Sequence, residues 1–265
     1  TNSWLSVVCR KDIDIILICT PPNLHYKICV AALKNGKHVL CEKPLSKTFS
    51  EAKKMVSLAK KNKKILKCGF NHRHHPAVVD GKERVDNQSF GKILFARCRY
   101  GICGRLDYHT EWRADPKIAA GGHFIEQGSH IIDLFRWFLG NLNQVSCMTS
   151  TNFFKKQTLD ESGMALFRSS SGATASLHTS LSEWVNLFSF EVFGENEFIQ
   201  IEGLGGGYGT EKLIHGVREH NKPFAYSTIE YRGADKSWLN EWAEFKNAIK
   251  QNREPSGSGF DGMKA

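Results

Sequence analysis

Several signals that would place this chain in a specialised class of protein are missing from its 265 residues. No apolar run approaches the roughly 20 residues that a membrane-spanning helix requires, and no signal-peptide layout opens the chain. Internal repeats and low-complexity linkers are also absent. With 41% hydrophobic and 24% charged residues, the composition is that of a soluble globular protein with one large domain or two ordinary ones.

Nothing in the sequence points to a metal site or a disulfide framework. The eight cysteines form no CxxC pair, and no cluster of cysteine and histidine has the spacing of a zinc site. Several cysteines lie inside apolar strand or helix patterns, which is typical of buried, reduced thiols. We therefore expect a cytoplasmic protein that has no bound metal ion and no association with a membrane.

The net charge of +9 is concentrated in one predicted helix and the residues that follow it. The lysines of this stretch are Lys53, Lys54, Lys60, Lys61, Lys63, Lys64 and Lys67. They are not interleaved with exposed aromatic residues and belong to no nucleic-acid-binding motif, so we expect no nucleic-acid partner. A solvated basic surface explains them, and so does attraction of an anionic ligand such as a dinucleotide or a sugar phosphate.

The first third of the chain alternates between short apolar strands and amphipathic helices. Strands are predicted at residues 14–19, 37–42 and 65–70, and helices at 23–35 and 48–61. This order predicts a parallel sheet with right-handed crossovers. Ligands bind such sheets beyond the carboxyl ends of the strands.

Polar clusters follow all three predicted strands at those carboxyl ends. They are Thr20-Pro21, Glu42-Lys43-Pro44 and Asn71-His72-Arg73. A lysine at the end of a buried strand can stay out of water and hold a substrate hydroxyl, so Lys43 is a candidate catalytic residue. The alternative is a lysine that simply points to solvent.

From about residue 77 the pattern changes to a helix, a long strand at 92–100, a helix at 121–140 and then a series of short strands. These strands are predicted at 144–151, 161–168, 173–181, 187–193 and 198–202. Consecutive strands separated by turns predict a mostly antiparallel sheet. We therefore expect an α/β domain at 1–76 and an α+β domain at 77–265.

The predicted helix at 121–140 carries a second acid–base set. Glu126 and His130 are four residues apart, so they share one face of the helix. With Lys43 they form a set suited to removing a proton from an alcohol, with His130 as the base and Glu126 orienting the substrate or the imidazole. A core histidine and a solvated acid on the helix face are the alternatives.

These motifs, in this order, resemble those of the Gfo/Idh/MocA family, the glucose–fructose oxidoreductase and inositol dehydrogenase family. They are Cys19 to His25, Gly36 to Leu45, Gly69 to Arg73, Gly121 to Asp133, and Gly262. The resemblance implies a Rossmann domain that binds NAD or NADP, followed by an α/β domain whose large, mostly antiparallel open sheet often forms an oligomer interface. It also implies hydride transfer between nicotinamide and a carbinol carbon of a sugar, a cyclitol or a nucleotide-linked sugar.

The resemblance also implies roles for single residues. Lys43 would lie beside the nicotinamide and the reacting hydroxyl, with a Lys43–Pro44 bond that is often cis. Glu126 and His130 would take the positions of the family's acid and histidine, although aspartate is commoner than glutamate at the first. The expected cofactor contacts are Thr20, Pro21, Asn23, His25, Glu42, Lys43, Arg73, Trp112 and Arg113. Without the resemblance, simpler interpretations fit as well. Thr20 to His25 could form an ordinary strand–helix turn, Trp112 could be a packed core residue, and Arg73 and Arg113 could be surface arginines. The remaining histidines, including His72, His74 and His75, are assigned no role.

The chain departs from the family pattern at its start, because Thr1 already lies past the strand, the GxGxxG turn and the helix that hold the pyrophosphate. We therefore expect a partial Rossmann domain in a fragment that binds dinucleotide poorly by itself. Two other functions stay open, an NAD-recycling glycoside hydrolase and a non-catalytic binding subunit, although intact Lys43, Glu126 and His130 argue against the second. We expect a homo-oligomer formed through the C-terminal sheet. The substrate, its stereochemistry and the choice of NAD or NADP are left undetermined.

Overall fold

A three-stranded parallel sheet forms the first part of the computed structural model, which describes residues 3–154, 156, 158–222 and 225–265. Its strands, in spatial order, are β1 (Ile15–Ile18), β2 (His38–Glu42) and β3 (Leu66–Gly69). They are preceded and connected by α1 (Trp4–Val8), α2 (Pro22–Lys34) and α3 (Phe49–Lys61). The predicted parallel sheet is confirmed, and both parallel pairings place the carboxyl ends of the strands at one edge.

Local sequence explains where these helices begin. The start of α3 is capped by the Thr48 hydroxyl, which accepts a hydrogen bond from the Glu51 backbone N–H at 3.2 Å, as the T-x-x-E pattern predicts. Proline occupies the first position of α2, where its missing N–H costs nothing. Cys29, Cys41 and Cys68 are fully buried in the core between the helices and the sheet.

A second, eight-stranded sheet has the order β11-β10-β9-β8-β4-β7-β6-β5. The strands are β4 (Ile93–Cys103), β5 (Leu142–Ser150), β6 (Ser162–Ser169), β7 (Thr174–Ser180), β8 (Ser182–Gly194), β9 (Glu197–Glu202), β10 (Glu211–Val217) and β11 (Tyr226–Tyr231). Only β4 and β7 pair in parallel, and the other pairings are antiparallel, so the predicted mostly antiparallel sheet is confirmed. The prediction missed the last two strands. In β10 the fully buried apolar side chain is Leu213 alone, and β11 is an exposed edge strand without a buried apolar face.

Four further helices follow in the chain. They are α4 (Pro76–Val85), α5 (His123–Leu139), α6 (Ser237–Gln251) and α7 (Gly259–Lys264). Two of them, α4 and α5, pack on the large sheet and bury its core face. The predicted apolar stripe of α5 packs on the sheet, with Ile131, Leu134 and Phe135 fully buried. Gly140 ends this helix with a φ of 82°, a left-handed conformation that suits glycine. Among the described residues, no helix is long and apolar enough to cross a bilayer.

The end of the chain returns to the first sheet. The Cys68 backbone N–H donates to the Gly257 carbonyl at 2.9 Å, and Met263 and Ala265 pack against the first core. The prediction placed all of 77–265 in the second domain, whereas α7 lies on β3 of the first sheet. Helix α7 contacts both β3 and α5. In this arrangement the carboxyl ends of the parallel strands lie against the start of α5.

Candidate active site

A cavity of about 180 Å³ lies where the carboxyl ends of β1 and β2 meet the start of α5. Of the predicted site residues, those that line it are Thr20, Glu42, Lys43, Trp112, Arg113 and Glu126. The parallel sheet brings Thr20, Glu42 and Lys43 together, because its strands all end at the same edge. Trp112 and Arg113 come from a 3-10 turn, and Glu126 comes from α5. Among the described residues, no group of three or more potential ligands could hold a metal ion.

Lys43 reaches from the end of β2 to the backbone of α5. Its Nζ donates a hydrogen bond of 2.6 Å to the Glu126 carbonyl oxygen, and its peptide bond to Pro44 is cis. The residue keeps some solvent exposure, but protein surrounds its amine. Burial lowers the pKa of Lys43, although the carboxylates of Glu126 and Glu42 oppose that shift. The result is a positioned amine that gives up its proton more easily than a surface lysine does.

The Glu126 carboxylate is held on both of its oxygens. Oε1 accepts from Arg113 Nε at 2.6 Å, and Oε2 accepts from the Tyr108 hydroxyl at 3.1 Å. Burial acts to raise the pKa of Glu126, but the positive charges of Lys43 and Arg113 outweigh it, and the pKa is lowered. Glu126 is therefore an ionised group that ties α5 to the loop that carries Tyr108. The sequence analysis missed Tyr108, which lies in a short 3-10 turn without a motif.

Glu42, the last residue of β2, lines the cavity. It accepts a hydrogen bond from the Lys43 backbone N–H at 3.2 Å, and burial raises its pKa. A Cβ atom on Gly69 of the neighbouring strand would come within 3.0 Å of Glu42 Oε2 and 3.1 Å of its Cα. A side chain at position 69 would therefore press on Glu42 and shift it, which glycine avoids.

The turn after β1 contributes one side chain to the cavity and one support behind it. Thr20 lines the cavity, and its buried hydroxyl has no hydrogen-bond partner among the described residues. The ring nitrogens of buried His25 face the carbonyl oxygens of Pro44 at 2.9 Å and Thr20 at 2.7 Å, which ties the two turns together. Pro21 precedes the first residue of α2. Asn23 is exposed, and its backbone N–H donates to the carbonyl oxygen of Ile118 at 3.2 Å.

His130 lies one turn along α5 from Glu126, but it is buried and is not part of the cavity wall. Its ring stacks on that of His72, with centroids 3.8 Å apart and an interplanar angle of 15°. Burial lowers the pKa of His130 well below its usual value, and positive charge on His72, Lys43 or His75 would lower it further. The structure therefore brings Lys43 and Glu126 into contact and places a neutral His130 behind them.

The structure does not bring Arg73 to the cavity. Its guanidinium makes two hydrogen bonds to buried Asp133, at 2.7 and 2.6 Å, and lies 5.1 Å from the centroid of the Trp137 ring. Its role as a cofactor contact stays a prediction. Arg113 is at the cavity, with its guanidinium 4.4 Å from the centroid of the Trp112 ring.

His123, the first residue of α5, was not assigned a role from the sequence although it follows the Gly121-Gly122 pair. It is buried, and neither ring nitrogen makes a hydrogen bond of good geometry to the described residues. Burial lowers its pKa to about 4, with Glu126 opposing and Lys43 adding to the shift. The structure thus places a neutral imidazole next to the charged pair of the cavity.

Comparison with known proteins identifies the family. A model of the oxidoreductase family with an NAD-binding Rossmann fold matches residues 1–70, and a model of the GFO/IDH/MocA C-terminal domain matches 78–200. The chain belongs to the Gfo/Idh/MocA family. These two matches confirm the resemblance that the sequence motifs indicated.

Several relatives have names that state a substrate. The chain is 27% identical to myo-inositol 2-dehydrogenase of Thermotoga maritima, over 96% of this chain and 75% of that protein. It is 34% identical to levoglucosan dehydrogenase of Pseudarthrobacter phenanthrenivorans, but this match covers 57% of the chain and only 39% of that protein. A solved levoglucosan dehydrogenase in complex with NADH and levoglucosan has a TM-score of 0.89 at 25% identity, covering 99% of this chain and 77% of that one.

Proposed function

We propose that this chain is the catalytic part of an NAD- or NADP-dependent dehydrogenase that transfers hydride between nicotinamide and a carbinol carbon of a sugar or cyclitol. One observation carries the proposal: the desolvated amine of Lys43 lies against Glu126 in a cavity at the carboxyl ends of the parallel strands. The substrate names of the relatives, myo-inositol, levoglucosan and 1,5-anhydro-D-fructose, support the substrate class.

The cavity fits the nicotinamide end of the cofactor. The buried hydroxyl of Thr20 has no hydrogen-bond partner in the described part of the chain, and Glu42 lines the same cavity, so both side chains can bond polar groups of a ligand. Trp112 and Arg113 also line this cavity. When bound, the nicotinamide supplies the carbon that accepts or donates the hydride.

The chain's own groups account for the proton. The Lys43 amine can hydrogen-bond the substrate hydroxyl and lower its pKa, because the amine is fixed by the Glu126 carbonyl and shielded from water. His130 is the proposed proton acceptor, since its low pKa keeps the imidazole neutral at pH 7. Glu126 keeps Arg113 and Tyr108 in place beside the reacting hydroxyl.

We also propose that the chain forms a homo-oligomer through the outer face of the large sheet, and that it resides in the cytoplasm. Val145, Met148, Met164 and Leu166 are exposed on β5 and β6, beside a surface concavity of about 750 Å³. Exposed apolar patches of this kind mark interaction sites. All eight cysteines are free, as in a reducing compartment.

The direct test is an absorbance assay for NADH or NADPH with the full-length protein. Purified protein is mixed with NAD or NADP and with levoglucosan, myo-inositol or other cyclitols and sugars. Cofactor reduction with at least one of them supports the proposal. If quenching of tryptophan fluorescence shows no binding of NADH or NADPH, or if glycosides are cleaved without net reduction, the proposal is wrong.

A further inference from the structure

Two histidines from distant parts of the chain form a stacked pair behind the cavity. His72 belongs to the 3-10 turn Asn71–His74 that follows β3, and His130 belongs to α5. Their rings are nearly parallel at 3.8 Å, and both residues are about 5% exposed. The ring of Phe70 meets His130 edge-on at 6.2 Å, and that of Tyr100 meets His72 at 5.4 Å. The imidazole of His130 is thus buried and packed against the rings of His72 and Phe70.

The orientation of a catalytic imidazole is usually fixed by a hydrogen bond from one ring nitrogen to a carboxylate or a carbonyl. His130 lacks this support, because its Nδ1 is buried and has no partner among the described residues. His72 is anchored instead, since its Nδ1 lies 3.2 Å from the Asn71 side-chain oxygen, which in turn belongs to an amide that donates to Ser237. Among the described residues, the orientation of His130 therefore depends on ring packing, and the stack on His72 is the closer of the two ring contacts.

The charges around the pair keep both rings neutral. His130 faces His72, His75 and Lys43, and His72 faces His75 and Lys43. The carboxylates on either side of His130 in α5 are bound by arginines, Glu126 by Arg113 and Asp133 by Arg73. Glu211 and Asp235 lie 3.1 Å and 4.0 Å from Nδ1 of His75. A lasting positive charge on either stacked ring is therefore unfavourable, so the ring of His130 is neutral and free to accept a proton before the reaction.

We infer that His72 is a positioning residue for the reaction, clamping the ring of His130 face to face so that its nitrogen is presented to the proton that leaves the substrate. This inference rests on the proposed function. His72 does not touch the cavity, and it acts only through His130. The required property of residue 72 is a flat ring, not a titratable one.

The variants His72→Phe and His72→Ala separate these two properties. In the full-length protein with an active sugar, we expect His72→Ala to lower kcat by about tenfold or more, because an imidazole that can rotate presents its nitrogen less often. KM should change little, and His72→Phe should restore most of kcat. Exposed His220→Ala is the control and should match the wild type. Unchanged kcat in His72→Ala, or an equal loss in His72→Phe, would overturn the inference.

A second readout does not depend on turnover. The ring signals of His130, assigned by their loss in His130→Gln, are followed by NMR from pH 8 to pH 5. In the wild type and in His72→Phe the ring should stay neutral, whereas in His72→Ala water fills the space and the pKa should rise toward its usual value of about 6.5. If the His130 ring titrates in the same way in the wild type, His72→Phe and His72→Ala, the proposed positioning role of His72 is refuted. A protein that transfers no hydride but shows these titrations would contradict the proposed function alone.

Discussion

Replacing His123 should remove part of the acid sensitivity of the fold. The buried ring has a pKa of about 4, whereas the unfolded chain has a value of about 6.5. Because the pKa of His123 is lower in the folded state, the unfolded state takes up a proton at a higher pH than the folded state does as the pH falls. Folding stability is then complete above pH 6.5 and is lost as the pH falls toward 4.

The size of the effect follows from those two values. Between pH 7.5 and pH 5, protonation of the unfolded chain at His123 alone lowers the free energy of unfolding by about 2 kcal/mol. His72 and His130 act in the same direction, because burial lowers their pKa values as well. Glu241 opposes them, since its pKa is raised to about 7 and the folded state takes up its proton first.

Urea unfolding at pH 7.5 and at pH 5 isolates the contribution of His123. The wild type should lose more free energy of unfolding between these pH values than His123→Gln does, by about 2 kcal/mol. The variant His220→Gln changes an exposed histidine and should behave as the wild type does. If His123→Gln and the wild type lose the same free energy, the ring titrates normally and the reasoning about its burial fails.

Three further predictions concern other parts of the molecule. Asp133→Asn leaves the buried Arg73 guanidinium with only the more exposed carboxylate of Asp261, 3.4 Å away. Chemical denaturation should show a loss of about 3 kcal/mol, and a loss near zero would contradict the buried pair. Met148→Glu places a charge on the exposed sheet face and should shift the protein toward monomer in light scattering; an unchanged mass would exclude this interface. Glu126→Gln weakens the bond to Arg113 and should lower kcat about tenfold or more, with Glu126→Asp less affected; equal kcat in all three proteins would remove Glu126 from the mechanism.

Local signals were sufficient to predict the elements that form the cavity. Buried strands bounded by prolines and glycines, and the Thr48 cap of α3, are set by residues close in sequence. The rule that parallel strands end at one edge then predicted that Lys43 would meet other polar side chains, and Thr20 and Glu42 from those strand ends line the same cavity. Helical spacing likewise placed Glu126 and His130 on the same helix, α5.

The parts that could not be predicted depend on contacts between distant segments. The stacking of His72 on His130 arises only when the turn after β3 packs against α5, and no local pattern reports it. The bond from Tyr108 to Glu126 likewise comes from a loop without periodicity. Arg73 follows a strand end as a ligand-binding residue would, yet its charge is taken by Asp133, a partner sixty positions away in the sequence. Which of several nearby acids pairs with a cation is decided by packing.

The most direct test of the proposed chemistry is the turnover of Lys43→Met in the full-length protein. Methionine is close to lysine in length and removes the amine without leaving a buried charge, so the fold and NADH binding should persist. We predict that kcat falls by about a hundredfold or more, while the exposed control Lys54→Met keeps the wild-type value. A Lys43→Met protein that turns over as fast as the control would contradict the assignment of this cavity as the active site.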